Sequence, residues 1–180
     1  DGAFLIQRKK QFGGLTPLYD MALSFAASAE DPISGGRHKV LGCAQTFVPP
    51  QTSTIASHLP KAVGTAHSIG LAARQQLADR QMPDDAIVIA SFGDASANHS
   101  TAQGAFNAAA WTAYQKLPRP IVFLCEDNGI GISVRTPAGW IEANFSQRPA
   151  LNYISCDGGD LIDAIRGCEE AVAIARARRK

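Results

Sequence analysis

Apolar residues cluster along the chain in two distinct rhythms. Two short, nearly continuous runs, Ala86-Ile87-Val88-Ile89-Ala90-Ser91-Phe92 and Pro120-Ile121-Val122-Phe123-Leu124-Cys125, have the length and β-branched content of strands buried on both faces. Between them, residues 102–115 are rich in alanine, with Phe106 and Trp111 as the bulky members, which predicts a helix and hence a strand-helix-strand unit. Upstream, Val63, Ala66, Ile69, Ala73 and Leu77 recur at helical spacing over residues 60–80, and Gly64, Ala66 and Gly70 keep that helix slim. Downstream, residues 151–156 read as a third strand. Asp157-Gly158-Gly159 then turns into a helix capped by Asp160, with Leu161, Ile162, Ile165, Cys168, Val172 and Ala175 expected to face the sheet.

The N-terminal third is less periodic. Thr16 with Pro17 at the first helical position predicts a helix whose apolar side is Leu18, Met21, Ala22 and Phe25, ending near Asp31-Pro32. Residues 34–39 read as a loop and residues 40–47 as a short strand closed by Pro49-Pro50. No internal repeat or low-complexity segment interrupts the chain. The alternation of strands and helices predicts an α/β fold with a doubly wound, mostly parallel sheet, in a single domain spanning residues 1–180.

Composition narrows the classes of function. At 180 residues and 46% hydrophobic, the chain is long enough to bury a sizeable core. A formal charge of +1 gives no electrostatic basis for nucleic-acid binding. The C-terminal basic cluster, Arg176, Arg178, Arg179 and Lys180, complements the dipole at the end of a helix. No apolar run approaches the ~20 residues of a membrane span, and no secretory signal is visible. Cys43, Cys125, Cys156 and Cys168 have no metal-site or CxxC spacing, and free thiols in a reducing compartment are expected.

The chemistry lies where the two central strands end. One runs into Gly93-Asp94-Ala95 and the other into Glu126-Asp127-Asn128-Gly129, and ligands of open parallel sheets bind outside the carboxyl ends of the strands. A carboxylate, an amide oxygen and a nearby backbone carbonyl suit a hard cation such as Mg²⁺ that shares its shell with phosphate oxygens. Residues 96–101 look like the start of a helix, whose free amides favour phosphate. Taken singly, Asp94 could be a helix cap and Asn128-Gly129 mere turn chemistry. His67 lies on the apolar stripe and is expected in the core; His99 is placed near the phosphate end.

This constellation is similar to the Gly-Asp-Gly…Asn-Asn motif of thiamine diphosphate enzymes. Residues 53–64 (Ser-Thr-Ile-Ala-Ser-His-Leu-Pro-Lys-Ala-Val-Gly), Phe106-Asn107-Ala108-Ala109-Ala110-Trp111, Lys116-Leu117-Pro118 and residues 125–129 extend the likeness. Together they resemble the alpha subunit of the decarboxylating component of 2-oxo acid dehydrogenase complexes, particularly the branched-chain type, over roughly residues 35–179. Ala95 stands where that family usually has glycine, which requires a negative φ there, and Asp127 replaces the first asparagine. The spacer between the motif halves is also several residues longer than usual.

The resemblance implies a thiamine diphosphate-binding fold, with thiamine diphosphate and Mg²⁺ as cofactors. The implied cofactor-binding residues are Ser53, Ile55, Gly93, Asp94, Ala95, Ser96 and Asn128, and the implied metal ligands are Asp94, Asn128 and Ile130 through its backbone. It further implies oxidative decarboxylation of a branched-chain or pyruvate-like 2-oxo acid with acyl transfer to lipoamide. The partners would be a beta subunit, in a heterotetramer, and a lipoyl-bearing acyltransferase; the compartment would be the cytoplasm, or the mitochondrial matrix in a eukaryote. No catalytic residue is assigned. The glutamate that activates the cofactor is implied to come from the beta subunit, since Glu30, Glu126, Glu142, Glu169 and Glu170 are not placed for that role. The family pattern also has a Tyr-Arg pair upstream and a histidine-bearing loop downstream, so the chain is expected to be part of a longer one and inactive alone. A transketolase-type enzyme and a non-catalytic binding or assembly module are the competing readings.

Overall fold

The computed structural model describes Gly13, Gly14 and residues 16–177. Residues 1–4 and the basic residues Arg178, Arg179 and Lys180 lie outside the described residues. The chain divides into two compact units, one ending at Thr54 and one running from Ile55 onward.

In the first unit, helix α1 spans Pro17–Phe25, with proline in its first turn where a missing N–H is tolerated. Thr16 sits at the N-cap, but its hydroxyl donates to Asp20 Oδ1 (3.2 Å) rather than accepting a backbone amide. The helix stops at Phe25, earlier than the sequence suggested. Beyond it, Asp31 holds a tight loop by accepting from the Ser34 hydroxyl (2.6 Å) and from the amides of Ile33, Ser34 and Gly36. The Ser34 hydroxyl hydrogen bond first, and the Ile33 amide second, hold the Asp31 carboxyl below the ordinary carboxylate range. Buried Ser24 bonds both the N–H and the carbonyl of Val40, at 3.3 Å each, tying α1 to the chain entering strand β1.

β1 (Leu41–Cys43) pairs antiparallel with β2 (Val48–Gln51) around a 3₁₀ turn at Ala44–Thr46. The expected single strand over residues 40–47 is therefore a hairpin arm and a turn. Pro49 and Pro50 lie inside β2 rather than beyond it; a two-stranded ribbon has a free edge where a missing N–H breaks no ladder.

The second unit is built on a parallel strand pair. Helix α2 (His58–Arg74) leads to β3 (Val88–Gly93), a 3₁₀ turn (Asp94–Asn98), helix α3 (Ser100–Tyr114) and β4 (Ile121–Glu126). β3 and β4 run parallel in unbroken register, from Val88 opposite Ile121 to Gly93 opposite Glu126. The expected strand-helix-strand unit is thus present in a mixed α/β architecture.

Strand alternation sorts the sheet residues. Ala90 and Phe92 on β3, with Ile121, Phe123 and Cys125 on β4, join the core together with Leu59 and Val63 of α2 and Ala102, Ala105, Phe106 and Ala109 of α3. The alanines of α3 let the helix approach closely while Phe106 fills the centre. Its ring lies 4.9–5.1 Å from those of Phe92, Phe123 and Phe145, edge-on to the last two. Arg148 spreads its guanidinium over Phe106 and Phe145 and donates to Gln103 Oε1 (2.6 Å). α2 is slim where it must be: a Cβ on Gly70 would sit 2.8 Å from the Pro118 side chain.

After β4 the chain forms a small hairpin, β5 (Ile130–Gly131) with β6 (Val134–Arg135), then helix α4 (Trp140–Phe145) and helix α5 (Leu161–Ala177). The Ala95 methyl lies 2.6 Å from where a Gly131 Cβ would stand, so the hairpin seats on the 3₁₀ turn only because residue 131 is glycine.

Five further sequence expectations are corrected. Residues 151–156 form no strand, because their backbone joins no ladder among the described residues. α5 is capped by Asp160 as expected, with Oδ1 accepting from the amides of Ile162 and Asp163, but Leu161, Ile162, Ile165 and Cys168 are exposed and burial falls on Gly167 and Ala175. α2 ends at Arg74, leaving Leu77 half exposed, and His67 is exposed rather than in the core. Trp111 is 66% exposed, so Phe106 alone is the bulky core residue of α3. The four cysteines are free, and no described helix is long and apolar enough to cross a membrane.

Three outcomes follow from this packing. Phe106→Ala should lower unfolding free energy by about 3–5 kcal/mol in urea titrations, since its cavity opens at the meeting point of three rings. Gly131→Ala should destabilise by about 1–3 kcal/mol through overpacking, and adding Ala95→Gly should recover most of the loss in a double-mutant cycle. Because its carboxyl is depressed in the fold, Asp31 contributes stability that is present above the ordinary carboxylate range and lost as pH falls through the depressed value. Asp31→Asn should therefore flatten the acid limb of a melting-temperature profile, and an unchanged limb would rule this out.

Candidate functional site

The level ending of β3 and β4 sets the site. Gly93 and Glu126 are register partners, so the turns that follow, beginning at Asp94 and Asp127, leave the same edge of the sheet. Gly93 is extended (φ −80°, ψ 152°) and hands the chain to the Asp94–Asn98 turn. Asp94 is 2% exposed and accepts a hydrogen bond on Oδ2 from the Thr136 hydroxyl. Ala95 is absent from the positive-φ residues, as its Cβ requires, and Ser96 is half-buried in the same turn.

Asn128 is exposed, and its Oδ1 accepts the Ile130 amide (3.0 Å), an Asx turn with Gly129 at φ +74°. That turn starts the β5–β6 hairpin, which packs on the Asp94–Asn98 turn. The structure thereby brings Gly93, Asp94, Ala95, Ser96, Asn128 and Ile130 to one sheet edge. Ile55 is 51% exposed at the start of this unit. Ser53 belongs to the first unit, where its amide donates to His38 Nε2 (3.3 Å).

The helix expected to begin at residue 96 starts instead at Ser100. His99 is its N-cap, and the ring Nδ1 accepts the Thr101 amide (3.3 Å). That amide is therefore already paired within the cap.

Electrostatically the edge is anionic. Cys125, at the end of β4, has its thiol pushed up to about 12, first by burial and then by the charges of Asp127, Asp94 and Glu126. It stays protonated at neutral pH and is no nucleophile. None of these carboxylates has an ion-pair partner among the described residues. Such an edge repels a bare diphosphate and attracts a cation. A carboxylate, an amide oxygen and a backbone carbonyl form a hard-oxygen set, and the fit is to Mg²⁺ shared with phosphate rather than to an all-protein cage. No cluster of three or more His, Cys, Asp or Glu side chains suited to a metal occurs among the described residues.

Sequence reasoning missed the side chains that fasten this edge. Thr136 reaches Asp94, Trp140 Nε1 donates to Asn98 Oδ1 (2.8 Å), and Gln103 Nε2 donates to the Ala97 carbonyl (2.7 Å) while its Oε1 takes Arg148. His58 Nε2 lies 2.7 Å from the Ser91 carbonyl, joining the first turn of α2 to β3. The first two and the Arg148 bond span more than forty positions each, and no local spacing announces them.

Comparison with known proteins identifies the family. Residues 12–180 match the model of the family described as Dehydrogenase E1 component. The chain is 32% identical over 167 residues to 2-oxoisovalerate dehydrogenase subunit alpha of Bacillus subtilis, covering 89% of this chain and 45% of that protein. Mitochondrial subunits of the same name from Caenorhabditis elegans (31%, covering 71% of this chain and 27% of that protein) and Mus musculus (30%, 80% and 30%) are similar to it as well. The chain thus spans less than half the length of these relatives. The likeness to branched-chain-type alpha subunits read from residues 53–129 is borne out, and the chain belongs to the dehydrogenase E1 component family.

Proposed function

We propose that this chain supplies the metal- and diphosphate-binding half of a thiamine diphosphate-dependent active site that oxidatively decarboxylates a 2-oxo acid of the branched-chain type. The observation that carries the reading is the pair of turns, Asp94 and Asn128, leaving one edge of a parallel strand pair inside a chain of the E1 family. The relatives' names, 2-oxoisovalerate dehydrogenase subunit alpha, support the branched acid and a companion subunit. On this reading the whole chain is one domain of a thiamine diphosphate-binding fold with a doubly wound, mostly parallel sheet. Its partners are a beta subunit, in a heterotetramer, and a lipoyl-bearing acyltransferase. Bacterial and mitochondrial relatives support the cytoplasm or the mitochondrial matrix.

Each residue then has a definite task. Asp94 and Asn128 give Mg²⁺ a carboxylate and an amide oxygen, and the Ile130 carbonyl a third ligand. Gly93, Ala95 and Ser96 present backbone to the diphosphate, and Ile55 lies toward the aminopyrimidine end. The anionic edge explains why the metal is needed: it neutralises a diphosphate that Glu126 and Asp127 would otherwise repel. Thiamine diphosphate, when bound, would supply the electron sink for decarboxylation. This chain's residues bind and orient it, while the activating glutamate comes from the beta subunit.

Calorimetric titration of the complete protein with thiamine diphosphate and Mg²⁺ tests the assignment. Asp94→Ala and Asn128→Ala should each weaken Mg²⁺-dependent binding by at least about tenfold, roughly 1.4 kcal/mol. Unchanged affinity in both variants would refute the site.

A further inference from the structure

The hairpin that begins at Asn128 returns its far end to Asp94. The Thr136 amide donates to the Gly129 carbonyl (3.0 Å), closing the hairpin, while the Thr136 hydroxyl donates to Asp94 Oδ2. The seating is fixed independently by Gly131 against the Ala95 methyl. Thr136 is half-buried, and Asp94 lies 42 positions away in sequence. One side chain therefore links the two strand-end turns.

We propose that Thr136 is a positioning residue for the metal: its hydroxyl holds Oδ2 and so orients the Asp94 carboxylate with Oδ1 facing the cation. This rests on the reading of Asp94 and Asn128 as metal ligands. A carboxylate at the end of a 3₁₀ turn can rotate about its Cα–Cβ and Cβ–Cγ bonds, and a hydroxyl donor on one oxygen removes much of that freedom. Outer-sphere hydrogen bonds of this kind typically change metal affinity by about 10- to 100-fold. The effect should also depend on the ion. Mg²⁺ demands near-octahedral geometry at short distances, whereas Ca²⁺ tolerates irregular shells. A carboxylate freed to rotate should hence harm Mg²⁺ binding more than Ca²⁺ binding. The hairpin also makes the two ligand turns interdependent, because displacing Asn128 moves the segment that carries Thr136.

The test measures the affinity of Mg²⁺ and, separately, Ca²⁺ in the presence of thiamine diphosphate, together with melting temperature, for the complete protein and its variants. Thr136→Val, which keeps the shape and removes the donor, should weaken Mg²⁺ binding about tenfold or more and Ca²⁺ binding by clearly less. Thr136→Ser, which keeps the hydroxyl, should restore Mg²⁺ affinity to within about threefold of the parent. Thr136→Ala provides the same comparison should the valine variant not fold. Equal losses for both ions that track a fall in melting temperature would make Thr136 a structural prop and overturn the proposal. So would Mg²⁺ affinity unchanged by Thr136→Val. Asp94→Ala separates the two levels: if it leaves Mg²⁺ binding intact, the metal-site reading itself is wrong; if it abolishes binding while Thr136→Val does not alter it, only the positioning role fails.

Discussion

The parallel register of β3 and β4 is the constraint on which the remaining features depend. Six consecutive residue pairs align from Val88–Ile121 to Gly93–Glu126, so the two strands end level and both following turns emerge at one edge. A slip of one residue would turn Ala90, Phe92 and Phe123 away from α2 and α3, and the loss of that burial fixes the register. Phe106 enforces the same alignment from the helix layer, contacting a ring on each strand, Phe92 and Phe123. The packing that stabilises the unit and the geometry that sets the Asp94 and Asn128 turns side by side are one arrangement.

Much of this was legible in the sequence because it is local. Apolar runs at 86–92 and 120–125 marked the strands, the alanine-rich stretch marked the helix joining them, and Gly-Asp and Asn-Gly marked the turns. What stayed hidden depends on partners distant in the chain. Residues 151–156 carry strand-like composition, yet a strand exists only through its neighbours' hydrogen bonds. Leu161, Ile162 and Ile165 have the spacing of a buried face, yet of the expected face Ala175 is buried while these three are exposed, and Gly167 is buried in addition, which apolar periodicity alone cannot distinguish. The polar segment after Val134 gave no signal that Thr136, Trp140 and Arg148 would return to the 3₁₀ turn and α3.

The departures from the family pattern also acquire a physical sense. Ala95 keeps an ordinary backbone conformation, and its methyl fills the space left by Gly131, so the glycine lost at one position is matched by one on the facing hairpin. Asp127 adds to an edge already carrying Asp94 and Glu126, and the rise in the Cys125 thiol registers how concentrated that charge is. On the proposed function, an edge of this sign favours loading of the metal ahead of, or together with, the diphosphate.

The reach of the fastening bonds bears on the order in which the chain can assemble. Thr136–Asp94 and Trp140–Asn98 each close a loop of 42 residues, and Arg148–Gln103 one of 45. The first two loops contain all of α3 and β4, and the third most of α3 and all of β4, so those bonds close at low entropic cost only once the helix has docked and shortened the effective span. The core can form without the clasp, whereas the clasp has nothing to close upon without the core. Closure of this sheet edge accordingly follows docking of the strand pair, and its fastening bonds can open while that pair stays intact.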